Sequence, residues 1–340
     1  MRLLVLGGTH FLGRAVVSAA LERQHDVTIF RRGTSGEDPD GVRSVRGDYT
    51  DALDLARLTD HGPWDAVVDT LAFVPRETLA VAQTLKNFVT RYVVISTVSA
   101  YEGWPVEPLT ESSAVLECPP DAGPGYGFDG DPGPSTYGFG KAGCERAVTE
   151  TFGADRTAIL RPGVILGPHE YVGRLPWWLR RLERGGQVLA PGNPGRPIQP
   201  VDIRDVADFA LTCAEGVTGT FNVTAPGTET FQDFLGACAT TVRANAELNW
   251  VPEEFLVSQG VRQWTELPLW RTYAGAWAVD SSAARAAGLS TRPIAETVHD
   301  TWQWLTEEQP VLDNERAAEL GITPEREAEV LTAWAATRES

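Results

Sequence analysis

Over the first 160 residues, short apolar or β-branched runs alternate with longer stretches of helical periodicity, and that alternation admits few folds. Strands are expected at Arg2–Leu6, Val27–Phe30, Ser44–Arg46, Ala66–Asp69, Tyr92–Ser96 and Thr157–Leu160. Helices are expected at Leu12–Arg23, Ala52–Asp60, Arg76–Phe88 and Tyr137–Phe152. Strands that are apolar throughout, each followed by a helix, make a parallel sheet covered on both faces. The chain is therefore of the α/β class, a doubly wound parallel sheet, and at 340 residues it is long enough for a smaller C-terminal lobe as well.

The pattern places the main domain at residues 1–165, with a return segment at about 200–225. That segment holds a helix at Val206–Glu215 and a strand at Thr220–Val223. Residues 166–199, with a helix near Leu175–Arg184, and residues 226–310 form the expected substrate-binding lobe. A helical tail occupies 311–340. A Pro/Gly-rich stretch from Glu102 to Thr136 is too long for a plain connection, so a site wall or lid is expected there.

Directly after the first strand comes Gly7-Gly8-Thr9-His10-Phe11-Leu12-Gly13, opening the first helix. Gly7 permits a tight turn, and Gly13 is expected to let the helix pack on the sheet. The amides of Thr9, His10, Phe11 and Leu12 and the helix dipole then face an anion such as a pyrophosphate. Histidine stands at the middle of the three small positions, so the His10 side chain either points outward or touches a phosphate itself.

The second strand ends in Phe30-Arg31-Arg32-Gly33, with no acidic residue to bind ribose hydroxyls. A guanidinium suits a 2′-phosphate by charge and by its forked donors. NADP is therefore favoured over NAD, read by Arg32 or Arg31. Asp48, at the end of the third strand, is expected near the adenine edge, and Tyr49 beside it is a further cofactor-binding candidate.

Tyr137 and Lys141 stand four apart on one helical face. An ammonium beside a phenol stabilises the phenolate and lets it exchange protons near neutral pH. Thr97, at the end of the fifth strand, lies at the carboxyl edge of the sheet, where ligands of such folds bind.

Together these motifs resemble the extended short-chain dehydrogenase/reductases, the NAD-dependent epimerase/dehydratase family, whose core is a Rossmann fold. The resemblance runs over most of the chain. It takes in Ser96-Thr97-Val98-Ser99-Ala100-Tyr101, the Tyr137/Lys141 pair with the trailing Glu145, and Arg161 to Pro168. It continues through Val201 to Ala207, and through Val279 to Ser282 with Leu289, Pro293 and Trp302 as a closing strand–helix–helix. It implies hydride transfer at a nicotinamide, with Tyr137 as acid/base, Lys141 as its modulator and ribose anchor, and Thr97 as partner of the substrate oxygen. The candidate cofactor residues are completed by Thr70, Leu71, Ala72, Pro162 and Val164. The resemblance also implies a dimer through the helices near Arg76–Phe88 and Tyr137–Phe152.

Departures narrow the reaction. Sugar-nucleotide dehydratases carry Asp-Glu after the catalytic threonine, whereas this chain has Val98 and Ser99. His10 and the Arg-Arg-Gly ending resemble a divergent branch of reductase-like proteins and chloroplast stem-loop-binding proteins. A net charge of −17 opposes a nucleic-acid partner. On the substrate side, Trp177, Arg196 and Gln199 are the candidates among many tryptophans and arginines. Arg180 and Arg181 fit either a substrate phosphate or a solvated helix face.

Four scattered cysteines without a Cys-x-x-Cys pair argue against a zinc site and suit a reducing cytoplasm. The short apolar start is neither a leader nor a span. The expectation is a cytoplasmic protein with no membrane or metal partner, acting on a small molecule. An NADP-dependent carbonyl reductase or alcohol dehydrogenase leads. A sugar-nucleotide epimerase holding NAD and a non-catalytic dinucleotide-binding regulator are the alternatives.

Overall fold

The computed structural model describes residues 1–34, 36–311 and 315–338, so residues 312–314 and 339–340 of the expected tail lie outside the described residues. The chain forms two compact units. The first comprises Met1–Ile165, Ile203–Pro226 and Ala274–Thr291; the second comprises Leu166–Asp202, Gly227–Tyr273 and Arg292–Ser340.

The first unit is a Rossmann fold. Its strands are β1 (Arg2–Leu6), β2 (Asp26–Arg31), β3 (Arg43–Arg46), β4 (Trp64–Asp69), β5 (Val89–Ile95), β6 (Thr157–Pro162) and β7 (Gly219–Val223). They pair in parallel in the order β7-β6-β5-β4-β1-β2-β3. From β1 the chain first builds outward through β2 and β3, then returns to lay β4, β5, β6 and β7 on the other side. The switch therefore falls between β1 and β4, where a crevice opens at the carboxyl ends of parallel strands. Leu3 to Leu6 are fully buried, as a central strand covered on both faces requires.

The helices are α1 (Phe11–Glu22), α2 (Ala52–Thr59), α3 (Pro75–Leu85), α4 (Thr136–Phe152) and α5 (Ile203–Glu215). Leu12, Val16, Val17 and Ala20 of α1 are buried at helical spacing, and α1 packs beside α5. On the face carrying α2, α3 and α4, Leu4, Phe30, Val67, Tyr92 and Val94 of the sheet meet Leu55, Leu58, Val81, Leu85, Val148 and Phe152.

The second unit contains helices Arg174–Glu183, Phe231–Val242 and Ile294–Glu307 packed on one another. A parallel strand pair joins Gly186–Pro191 to Ala246–Val251. Thr230 and Asp233 form a reciprocal capping box at the start of Phe231–Val242.

Two stretches differ from the sequence reading. Ala274–Thr291, expected in the lobe, belongs to the first unit. Val279 makes only an isolated bridge, with Leu109, rather than a strand. Leu109 N–H donates to Ala278 O at 2.9 Å, and Asn222 Nδ2 donates to Asp280 O at 2.9 Å. These bonds tie the segment to the long Glu102–Thr136 connection and to β7. The expected helical tail packs into the second unit. Its helix Pro324–Arg338 buries Glu327, whose carboxylate accepts from Arg181 Nε at 2.7 Å and Leu189 N–H at 2.9 Å within the second unit.

Candidate active site

At the switch point the chain leaves β1 through Gly7 and Gly8 at φ +104° and +112°, a region that L side chains rarely adopt. A Cβ on Gly13 would lie 2.7 Å from the Gly8 amide nitrogen. The first turn of α1 therefore rests closely on the residues that follow β1 and β4, Gly8 and Thr70, where only glycine leaves room. Thr70, just past β4, borders the same turn: its hydroxyl donates to Leu6 O at 2.8 Å, and a Cβ on Gly7 would lie 2.6 Å from its Oγ1. Ala72 is fully buried and Leu71 packs against the core, directly behind this turn.

Helix α1 has no side-chain cap at His10 and no acidic residue in its first turn. Thr9 and Phe11 are half-buried, Leu12 is buried and the His10 side chain is exposed. A helix start behind a glycine cradle that any Cβ would fill is shaped for an anion brought close to the backbone. The residues present fit the diphosphate of a dinucleotide.

The two arginines after β2 separate. Arg31 is buried, and its Nε donates to Asp38 Oδ1 at 2.7 Å while both terminal nitrogens reach Gly36 O at 3.1 Å. Its charge is used within its own loop. Arg32 is exposed beyond it. Asp48 accepts from the Thr50 amide and hydroxyl, both at 2.8 Å, bonds that hold its carboxyl below the ordinary range with a smaller contribution from Arg32. Tyr49, the neighbouring cofactor candidate, turns its hydroxyl inward. It donates to Asp69 Oδ2 at 2.8 Å in the core.

Helix α4 starts under a Ser135 cap, whose hydroxyl accepts from Gly138 N–H at 3.1 Å. Glycine inside a helix costs up to about 1 kcal/mol relative to alanine, and here close contacts require it. A Cβ on Gly138 would sit 2.2 Å from Ser99 O, and one on Gly140 would sit 2.8 Å from Phe73 O. The helix backbone thus closes onto the ends of β5 and β4.

That approach brings the candidate reactive residues together. The Tyr137 ring is 39% exposed, while Lys141 is only 3% exposed. Lys141 Nζ donates to Ile95 O at 2.8 Å and lies 5.9 Å from the Tyr137 ring centroid. Thr97 is buried at the start of the short turn Val98–Ala100, and its Oγ1 accepts from Ser99 N–H at 3.1 Å. Pro162 ends β6, paired with Val223, and Val164 is half-buried just beyond it.

Two groups beside this cluster, Phe73 and Asp69, were not marked by the sequence. The Phe73 ring covers Lys141, with Nζ 4.2 Å from its centroid, and lies 6.4 Å from the Tyr137 ring. Asp69, fully buried, accepts from Tyr92 OH at 2.6 Å, from Tyr49 OH and from the Leu71 amide at 2.8 Å. Burial pushes its carboxyl up against the pull of those donors and of Lys141, and burial pushes the Lys141 ammonium down. Glu145 takes two bonds from Arg161, 2.9 Å from Nε and 2.5 Å from Nη2, and a third from the Ser96 hydroxyl. The Arg161 guanidinium also lies 4.5 Å from the Tyr101 ring centroid.

The three substrate-side candidates lie in the second unit, each committed locally. The Trp177 ring packs 4.7 Å from Trp178 and against Gly321, where a Cβ would overlap its Nε1. This is packing rather than an open aromatic wall. Arg196 pairs with Glu253 and donates to Tyr273 O at 3.1 Å. Gln199 is buried beside Gly227. Arg181 matches neither a phosphate reader nor a solvated face, being buried on Glu327, whereas Arg180 is exposed on Glu183 and stacks 5.2 Å from the Trp302 ring centroid.

Among the described residues, no three His, Cys, Asp or Glu side chains gather as a metal site, and no helix is long and apolar enough to cross a membrane. All four cysteines are buried and unpaired.

The chain belongs to the NAD dependent epimerase/dehydratase family, whose model matches residues 3–224. It is 29% identical over 168 residues to the 2′-dehydrokanamycin reductase of Streptomyces kanamyceticus, covering 48% of this chain and 43% of that protein. It is 23% identical over 255 residues to the chloroplast stem-loop binding protein of 41 kDa b of Arabidopsis thaliana, covering 70% and 62% respectively. The chain thus spans about half the length of the curated relatives it matches.

Among solved structures, the Bordetella bronchiseptica enzyme WbmG in complex with NAD and UDP is similar at a TM-score of 0.67 and 18% identity, covering 91% of this chain and 96% of that one. The UDP-glucose 4-epimerase of Thermotoga maritima with UDP-glucose is similar at a TM-score of 0.68 and 17% identity, covering 91% and 100%. At such identities the likeness is one of fold.

Proposed function

We propose that this protein is an NADP-dependent oxidoreductase that interconverts a carbonyl and an alcohol on a small metabolite. The observation that carries the reading is the placement of Tyr137, Lys141 and Thr97 on α4 and the end of β5, in the same sheet whose switch point carries the glycine cradle. A bound nicotinamide dinucleotide supplies hydride chemistry. The chain supplies the rest.

Gly7, Gly8 and Gly13 shape the bed for the diphosphate, with the amides at the start of α1 as donors. Tyr137, partly exposed, holds or takes the proton at the substrate oxygen. Lys141 favours the phenolate form of Tyr137 and serves the ribose, and Thr97 orients the same substrate oxygen. Holding these groups in fixed geometry lowers the entropic part of the barrier. The reductase among the curated relatives supports the direction of the chemistry.

Arg32 is the proposed reader of a 2′-phosphate, since Arg31 is spent on Asp38 and Gly36. Arg32→Ala is expected to weaken NADP binding by about 10–100-fold, the worth of a charge-assisted bond, and to leave NAD binding little changed. Calorimetric titration with both dinucleotides checks this, and equal losses for both would remove Arg32 from that role. Gly13→Ala is expected to abolish measurable uptake of either dinucleotide, because the backbone of Gly8 cannot yield to a Cβ. Retained affinity in that variant would place the ligand elsewhere.

The reaction is tested by following NADPH absorbance with the purified protein and a panel of ketones and keto-sugars. Net consumption supports the oxidoreductase reading. Substrate conversion without net consumption would replace it with epimerisation.

A further inference from the structure

Lys141 is one of only two lysines in a chain whose other basic side chains are almost all arginine. The second, Lys86, is exposed. A buried ammonium needs a nearby anion, since unpaired burial of a charge is costly. Glu145, one helical turn on, is the obvious partner by sequence. Its carboxylate, however, is engaged by the Arg161 guanidinium and the Ser96 hydroxyl, and its pull on Lys141 is weaker than that of Asp69. Cys144 is no anion either, its thiol being pushed up to about 12 by burial.

What remains is Asp69. It ends β4, where the parallel register sets it beside Val94 of β5, and the next residue, Ile95, provides the carbonyl that receives Lys141 Nζ. Four residues after Asp69, Phe73 lays its ring over the same ammonium. The end of β4 thus lies beside the strand end whose carbonyl holds the lysine head, the turn behind it supplies the aromatic face over that head, and the Asp69 charge acts on the ammonium through space. Tyr92 OH, Tyr49 OH and the Leu71 amide all donate to Asp69, which favours its carboxylate form against the opposing effect of burial.

We propose that Asp69 is a positioning residue that acts through Lys141, as the counter-ion that keeps a desolvated ammonium charged beside Tyr137. The proposal rests on the proposed role of the Tyr137/Lys141 pair. The titratable and charged groups around the ammonium are Asp69 from β4, Tyr137, Cys144 and Glu145 from α4, Tyr92 from β5, Tyr49 following β3, and Arg161 from β6 acting through Glu145. The two partners move each other's proton affinity by the same factor, as coupling between two sites requires.

The test is carbon and nitrogen NMR of protein labelled at lysine, which gives two side-chain signals with Lys86 as internal reference. In Asp69→Asn the Lys141 titration is expected to move down by about one pH unit or more, a tenfold loss of proton affinity, with Lys86 unmoved. Should Asp69→Asn fail to fold, Lys141→Met decides the matter. There the Asp69 carboxyl, followed by aspartate labelling, is expected to move up by a similar amount. An unmoved titration in either folded variant overturns the proposal.

Activity separates this from the parent reading. With the coupling intact, the alkaline limb of kcat/KM in Asp69→Asn moves to lower pH, because Lys141 loses its proton sooner. An unmoved limb overturns the proposal. Undiminished turnover in Tyr137→Phe overturns the reading of the Tyr/Lys pair, while the NMR coupling continues to decide the Asp69–Lys141 link on its own.

Discussion

Replacing Tyr137 by Phe is expected to lower turnover by about 10²–10⁴-fold, the usual worth of a positioned acid/base, while dinucleotide affinity stays within a factor of about 2, since no binding contact is removed. The ring packs on Phe73 and is partly exposed, so losing one oxygen leaves the helix and its neighbours in place. The selectivity of the loss carries the meaning. A fall in kcat with unchanged dinucleotide binding assigns the phenol to the reacting proton. Equal falls in both would make it a binding residue instead. Steady-state kinetics on the responsive substrate and calorimetry on the same preparation give the two numbers.

The second large effect is on stability. Glu145→Ala removes the carboxylate that holds Arg161 and Ser96, leaving a guanidinium buried without its anion. Breaking a buried pair from one side costs about 3–5 kcal/mol. The exposed pair Arg146–Glu150, on the same helix, provides the contrast: its removal by Arg146→Ala is expected to change stability by less than about 0.5 kcal/mol. Urea unfolding of both variants beside the parent protein measures the difference. Comparable small changes in the two would mean that the Glu145–Arg161 pair is not what anchors α4 to β6.

The first unit was largely legible because its information is local. A strand that is apolar throughout, a glycine turn and an amphipathic helix each announce themselves within a dozen residues, and their repetition dictates a parallel sheet. The strands differ from expectation mainly at their ends. β5 begins at Val89 and β6 runs through Pro162, since pairing with neighbouring strands extends the ladder beyond the apolar run.

Long-range contacts were less legible. Nothing near Val279 in sequence points to its bridge with Leu109, and nothing near Glu327 points to Arg181. Tyr49 reads as an edge residue until the fold sets Asp69 opposite its hydroxyl.

One signal for the missed part of the site was present. Gly138 and Gly140 stand inside a predicted helix where alanine would be favoured, and such glycines mark close backbone approach. The partners they admit are Ser99 and Phe73, the latter covering Lys141. A second signal was the acid ending β4. An aspartate closing an apolar central strand calls for a buried partner, and the fold supplies Tyr49, Tyr92 and the charge of Lys141.

A crystal structure of the protein bound to NADP tests the central claim most directly. The diphosphate is expected on the amides following Gly8, the 2′-phosphate at Arg32, and the nicotinamide ring within reach of the Tyr137 hydroxyl, with Lys141 at the adjoining ribose. A dinucleotide bound away from the glycine turn, or a Tyr137 hydroxyl directed away from the nicotinamide, would contradict it.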